Sequence, residues 1–302
     1  MRRNLRGCGT GVLTFGVVLL VAVAGVVLGL RLFAGNAASG VCVAETADLR
    51  ATLSADQADN AALLSGVATR RGLPARAVTI AIATALQESK LRNIDYGDRD
   101  SVGLFQQRPS QGWGSVAEIM DPVYSTEAFY DALVTVEEYG SLPITDAAQR
   151  VQRSAYPQAY AQHEPRARAF ASAMTGHSPA ALTCHLDPVD EDETPAVTAA
   201  VADRLERDLG LSAEVLPGGV LRTDATALPG GSEEARRLAW AVAQWAVATA
   251  STTGASVVVV VDGQAWTRGG ETSTWSSLDE ARLPEAALTA TEELAPGSVL
   301  VL

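Results

Sequence analysis

Lysine is almost missing from this 302-residue chain: Lys90 is the only one, and arginine carries the remaining positive charge. That bias looks like a coding preference and indicates no function. Positive charge as a whole is outweighed, with 23 Lys and Arg against 35 Asp and Glu. The formal net charge of −12 argues against nucleic acid, whose phosphates would be repelled. Only three histidines are present, with no ligand pair at metal spacing, so no metal is expected. Cys184-His185 alone does not make a zinc site, and no organic cofactor is implied. No internal repeat is visible. Apolar residues, by contrast, are plentiful at 47%, enough for a packed core and too many for wholesale disorder. The length suits about two domains.

No charged side chain occurs between Arg6 and Arg31, and Gly11 to Leu30 is almost wholly apolar. A helix of about 20 such residues spans a hydrocarbon core of roughly 30 Å. Arg2, Arg3 and Arg6 precede it, which places the N-terminus in the cytoplasm. Residues 1–35 are therefore expected to be a cytoplasmic tail and single-pass anchor in the cell membrane, with the bulk of the chain outside. The alternative is a cleaved signal peptide, whose apolar region is usually shorter, about 7–15 residues. The small-residue site Gly35-Asn36-Ala37 is also imperfect for cleavage. Cys8 then falls on the cytoplasmic side, which leaves Cys42 and Cys184 as an even pair in an oxidising compartment and predicts a disulfide.

Helix signals dominate the chain after this apolar segment. Ser54 and Gln57 have the spacing of a capping box, opening a helix that runs to about Arg71 and stops at Gly72. Pro74 opens the next. From Ala75 to Leu86 that helix is apolar nearly all round, as a buried central helix is, and it turns polar only at Gln87 and Glu88. Residues 93–114, rich in Gly, Asp, Ser and Gln, read as loop. Further helical patterns cover about 126–139, 145–156 and 160–174. Prolines and the acidic run Asp187 to Glu193 suggest a linker over 185–195. Beyond it the pattern is mixed: helices near 197–209 and 232–250, a buried strand at 256–261, and an edge or closing strand at 298–302. The expected fold is a mainly α domain over residues 36–184, the acidic linker, and a small α/β accessory domain over 196–302.

The chemistry-bearing residues lie in Gln87-Glu88-Ser89-Lys90-Leu91 and in the stretch Ser101 to Pro109, which reads SVGLFQQRP. A glycosidic oxygen is a poor leaving group and must be protonated as its bond breaks. An apolar helix beneath Glu88, ending in the negative pole of the helix dipole, would raise the Glu88 pKa and keep a proton available. Glycosidases use a glutamic acid in an apolar pocket in this way. Taken alone, Glu88 reads more readily as a solvated glutamate at a helix end.

In these two motifs the chain resembles the lysozyme-like lytic transglycosylases. Glu88-Ser89 matches their Glu-Ser pair, and Gly103, Leu104, Gln106 and Pro109 match their Gly-Leu-Met-Gln-Ile-Met-Pro-like stretch, with Phe105 in place of Met. The resemblance covers roughly residues 50–175 and implies a lysozyme-like catalytic domain that cleaves β-1,4 bonds of peptidoglycan glycan strands without a cofactor. Glu88 would be general acid and base. Ser89 would orient it, Gln106 and Phe105 would line the glycan site, and Trp113 would stack on a sugar or pack in the core. A third family motif, Ala-Tyr-Asn-Ala-Gly, is reduced here to Ala155-Tyr156, followed by Pro157. Tyr156 is the expected counterpart of the family tyrosine.

Product chemistry stays open at this point. Asp98 or Asp100 in the loop after Glu88 could hold a water and make the protein a hydrolysing muramidase, or the loop aspartates could simply bond backbone N–H groups in a turn. A non-catalytic glycan-binding or assembly scaffold is a further alternative. His163 and His177 have no partner spacing that marks catalysis. In the C-terminal half, Trp240 and Trp245 are expected in the core. Trp266 and Trp275, in Gly- and Ser-rich surroundings, are the candidates for contact with glycan or with an envelope protein partner.

Overall fold

Ser54 opens the first helix because its own N–H is taken by the Gln57 side chain at 3.1 Å, one half of a capping box. A computed structural model describes residues 40–153, 157–189, 194–260, 262–269, 273–292 and 294–302. Helix α1 (Ala55–Arg70) and helix α2 (Ala75–Ser89) lie as the sequence predicts, with Pro74 at the N-cap of α2. α2 is buried from Ala77 through Leu86 without a break, so it forms the axis of the helical half. Around it pack α1, α4 (Pro122–Val134), α5 (Ile144–Gln152), a 3-10 turn (Pro157–His163) and α6 (Glu164–Met174), while the short α3 (Val116–Met120) packs on α4. α4 starts earlier than expected because Asp121 caps it, accepting from the Val123 N–H at 2.8 Å and the Tyr124 N–H at 3.3 Å.

Three strands join this half. β1 (Gly40–Glu45), β2 (Arg50–Ser54) and β3 (Leu182–Leu186) form an antiparallel sheet in the order β2-β1-β3. Cys42 faces Cys184 in the β1–β3 register, and the two are joined in a fully buried disulfide, as the cysteine count predicts. No strand is expected here from the sequence, since each is short and β3 borders the proline-rich segment.

The remaining elements are α7 (Thr194–Leu209), β4 (Ala213–Val215), β5 (Leu221–Asp224), α8 (Ala235–Thr253), β6 (Val257–Val260), β7 (Gln264–Thr267), β8 (Thr274–Ser277), α9 (Glu285–Thr291) and β9 (Ser298–Val301). Six of these are strands of one antiparallel sheet in the order β4-β5-β9-β6-β7-β8. β9 thus sits inside the sheet between β5 and β6, not at its edge. The fold is mixed α/β with helix predominating.

The boundary expected over 185–195 does not separate two bodies. Residues 40–302 form one compact unit, with α8 packed on α1 and one hydrophobic cluster running through both halves. Gln244 of α8 shows how: its fully buried amide accepts from the N–H groups of Ala181 and Leu182 (3.0 and 2.8 Å) and donates to the carbonyls of Ala173 and Ser178 (2.7 and 3.0 Å). Arg204 of α7 lies between Asp59 of α1 and the fully buried Asp208, at 2.9 Å from each. Asp208 also accepts from the Trp245 indole N–H at 3.1 Å. Trp240 and Trp245 are core residues, as expected. Trp266 is not a contact site, being fully buried with its N–H on the Thr183 hydroxyl (3.0 Å), whereas Trp275 is half-buried and donates to the Leu182 carbonyl (2.8 Å). Strand alternation turns both inward despite their Gly- and Ser-rich flanks.

Among the described residues no helix is long and apolar enough to cross a membrane. The expected anchor, residues 1–35, lies outside them.

The disulfide closes a loop of 142 residues. Reduction, or Cys184→Ala, is expected to lower unfolding stability by about 2–5 kcal/mol in denaturant titrations. Thiol titration of the unreduced, unfolded chain should find one reactive cysteine of three, Cys8; three reactive thiols would contradict the bridge.

Candidate active site

Glu88 stands where α2 runs out of apolar residues, one position before the helix ends. Lys90 and Leu91 then turn the chain through left-handed backbone angles (φ 57° and 59°). Two α1 side chains secure that turn. Gln57 donates to the Lys90 carbonyl at 2.8 Å and Asn60 to the Leu91 carbonyl at 3.0 Å. These carbonyls would otherwise be orphans of the helix end.

The Glu88 carboxyl is half-buried, and two side chains reach it from other elements. Tyr160, in the 3-10 turn, donates its hydroxyl to Oε1 at 2.6 Å. Gln152, the last residue of α5, hydrogen-bonds the same carboxyl and donates to the Phe105 carbonyl at 2.7 Å. Burial pushes the Glu88 pKa above its ordinary value, and the bonds from Tyr160 and Gln152 oppose that shift. No second carboxylate contributes to the shift among the described residues. The arrangement is an acid kept partly out of water, with neutral donors to steady its anion once the proton has left.

The neighbouring residues fill roles other than those expected. The Ser89 hydroxyl does not meet Glu88; it donates to the Leu104 carbonyl at 2.7 Å and accepts from the Arg92 N–H at 3.1 Å, so it fastens the second motif to the helix end. Phe105 cannot line a glycan site because it is fully buried, stacked on Phe129 with ring centroids 4.2 Å apart. Gln106 is held at φ 49°, a conformation an L-residue occupies at a cost. Its amide donates to the Tyr96 carbonyl at 3.2 Å, and a β-carbon at Gly97 would lie 1.9 Å from its Oε1. Gln106 thus closes the loop on itself. Trp113 is half-buried against the main core. Tyr96, 70% exposed, is the open aromatic of this loop.

The loop aspartates serve the loop as well. Asp100 accepts from the Ser110 N–H at 2.8 Å and from the Arg108 guanidinium at 2.7 Å. Bonds from Ser110 and Arg108 hold its carboxyl well below the usual carboxylate range, with both oxygens occupied. Asp98 is exposed and 3.9 Å from Arg99. Asp100 therefore has no oxygen left to direct a water.

Tyr156 lies outside the described residues. The tyrosine on Glu88 is Tyr160, which the sequence pattern did not single out. The available signal was a second Ala-Tyr pair, Ala159-Tyr160, four residues after Ala155-Tyr156. His163 likewise gave no sign of its place in the sequence. Its ring lies 3.0 Å from the Gln87 amide oxygen, which accepts from Gln162 at 3.2 Å as well, so both residues are anchored beside Glu88.

Because the folded protein raises the Glu88 pKa above the unfolded value, it favours the protonated acid. That advantage is fully present below the unfolded value of 4.5 and is lost as pH rises through the folded value. Glu88→Gln, always neutral, is therefore expected to melt above wild type near pH 8 and level with it near pH 4. A constant difference across that range would show that Glu88 is not held protonated by its site.

No protein-family model matches the chain, and no curated protein matches it, so a functional assignment rests on the geometry of Glu88 and its neighbours.

Proposed function

We propose that this protein is a peptidoglycan-cleaving enzyme of lysozyme-like architecture that breaks β-1,4 bonds after N-acetylmuramic acid by lytic transglycosylation. The observation that carries this reading is the Glu88 carboxyl: raised in pKa by burial at the end of an apolar helix, bonded by Tyr160, and without a carboxylate partner among the described residues. The Glu-Ser and Gly-Leu-x-Gln motifs of the resemblance add support.

In this scheme Glu88 gives its proton to the glycosidic oxygen as the bond from that oxygen to C1 breaks. The sugar becomes oxocarbenium-like. The Glu88 carboxylate, steadied by the Tyr160 hydroxyl and the Gln152 amide, then takes the proton of the same sugar's 6-hydroxyl. O6 bonds to C1, closing a 1,6-anhydro ring and regenerating the acid. No water is consumed and no cofactor takes part. A hydrolysing muramidase would need a second carboxylate to direct water, and Asp100 is already committed to Ser110 and Arg108. A non-catalytic scaffold would have no use for a destabilised acid at this point. With residues 1–35 as a membrane anchor, the enzyme would work on the inner face of the wall.

Mass spectrometry of fragments released from purified peptidoglycan tests the reading. Wild type should release anhydro-muramyl ends, and Glu88→Gln should lose activity by about 10²-fold or more. Reducing-end products would assign a muramidase, while products undiminished in Glu88→Gln would remove Glu88 from the chemistry. Tyr160→Phe deletes a bond that lowers the Glu88 pKa, so the alkaline limb of the pH–rate profile should move upward. An unmoved or acid-shifted limb would place Tyr160 outside the proton transfer.

A further inference from the structure

β2 is an outer strand of the three-stranded sheet, paired only with β1. Alternate residues of such a strand direct N–H and C=O groups away from the sheet, and an extended peptide can pair with them. Beside β2 runs a groove of about 600 Å3, walled by Leu49 to Thr52 on one side and by Gln162, His163, Pro165 and Arg166 on the other. In a chain of net charge −12 this groove has no acidic residue in its lining and carries two guanidinium groups, Arg50 and Arg166. Arg166 is exposed and makes no ion pair among the described residues. Arg50 meets Glu45 only at 3.6 Å, with both side chains well exposed. Glu164, on the same wall segment, faces away to Arg76 at 3.1 Å.

The groove is tied to the catalytic helix. Gln162 and His163 on its wall both bond Gln87, the residue next to Glu88, and Tyr160 of the same turn bonds Glu88 itself. A ligand in the groove would therefore contact the same turn that holds Glu88 through Tyr160. A muramic acid residue carries a short peptide on its lactyl group. That peptide offers both a backbone for a free strand edge and carboxylates for a planar guanidinium fork.

We propose that this groove binds the peptide stem of the strand being cleaved, its backbone lying along β2 and its carboxylates on Arg50 and Arg166. The assignment rests on the function proposed above and gives it a substrate class: strands that still carry their stems. Glycan and stem would then be read by separate surfaces, with α2 and the 3-10 turn between them.

The test is calorimetric binding of a muramyl tripeptide with free carboxylates, and of its fully amidated counterpart, to the full chain. Wild type should prefer the free-carboxylate form. Arg50→Ala/Arg166→Ala should weaken that form about tenfold and the amidated form less than twofold, about the size expected for charge-assisted bonds at an open site. Both side chains are exposed, so the variant should melt with wild type, and Arg50→Lys/Arg166→Lys should restore only part of the affinity. Equal affinity of wild type for the two peptides, or an unaltered double variant, would overturn the groove assignment even in a protein that cleaves walls. Arginine-dependent binding in a protein that releases no wall fragments would leave the groove standing and remove the proposed reaction instead.

Discussion

A helix that is apolar on every side has to be surrounded, and the surroundings of α2 determine most of this site. Its buried run ends at Glu88, so the last side chain before the turn is a carboxyl that can be only partly solvated. Everything near it stems from closing that end. α1 supplies amides for the carbonyls of the turn, and Ser89 pins Leu104 against the helix. Phe105 is thereby pressed onto Phe129, and its carbonyl holds Gln152 where it also reaches Glu88. The second motif is thus largely a structural brace for the first, whatever substrate the site takes.

The C-terminal half is built into this arrangement rather than appended to it. α8 packs on α1, and Gln244 satisfies four backbone groups around the start of β3 and the end of α6. A buried amide so completely paired fixes one register of the chain around it, since any shift leaves donors and acceptors unpartnered. The disulfide then locks β3 to β1, and Trp266 and Trp275 reach across to Thr183 and Leu182. The sheet half therefore seats the strand layer whose outer strand borders the arginine groove. That gives it a mechanical part in the molecule.

Charge is distributed with similar economy. Most arginines neutralise nearby acids, as Arg204 does between Asp59 and Asp208 and Arg108 does at Asp100. Arg166 has no such partner among the described residues and lies next to the turn that carries Tyr160.

Features that depend on neighbours along the chain can be read from the residues in order. These are the start of α1 at Ser54, the start of α2 at Pro74, and a polar break at Gln87 and Glu88 after a run of apolar residues. The pairing of Cys42 with Cys184 was also legible, because only two cysteines come after the apolar N-terminal segment. Tertiary structure alone decided which distant groups meet. Nothing local indicates that Tyr160 and Gln152 converge on Glu88, that Ser89 turns to Leu104 instead, or that β9 inserts between β5 and β6. Phe105 and Trp266 lie in the core rather than at a contact surface for one physical reason. The flanking composition of a residue reports how its backbone turns, whereas burial depends on which remote surface the fold brings against it. β3 has no local signal likewise, since it pairs with β1 across more than a hundred residues, and β1 and β2 form a short hairpin that this pairing extends into a sheet.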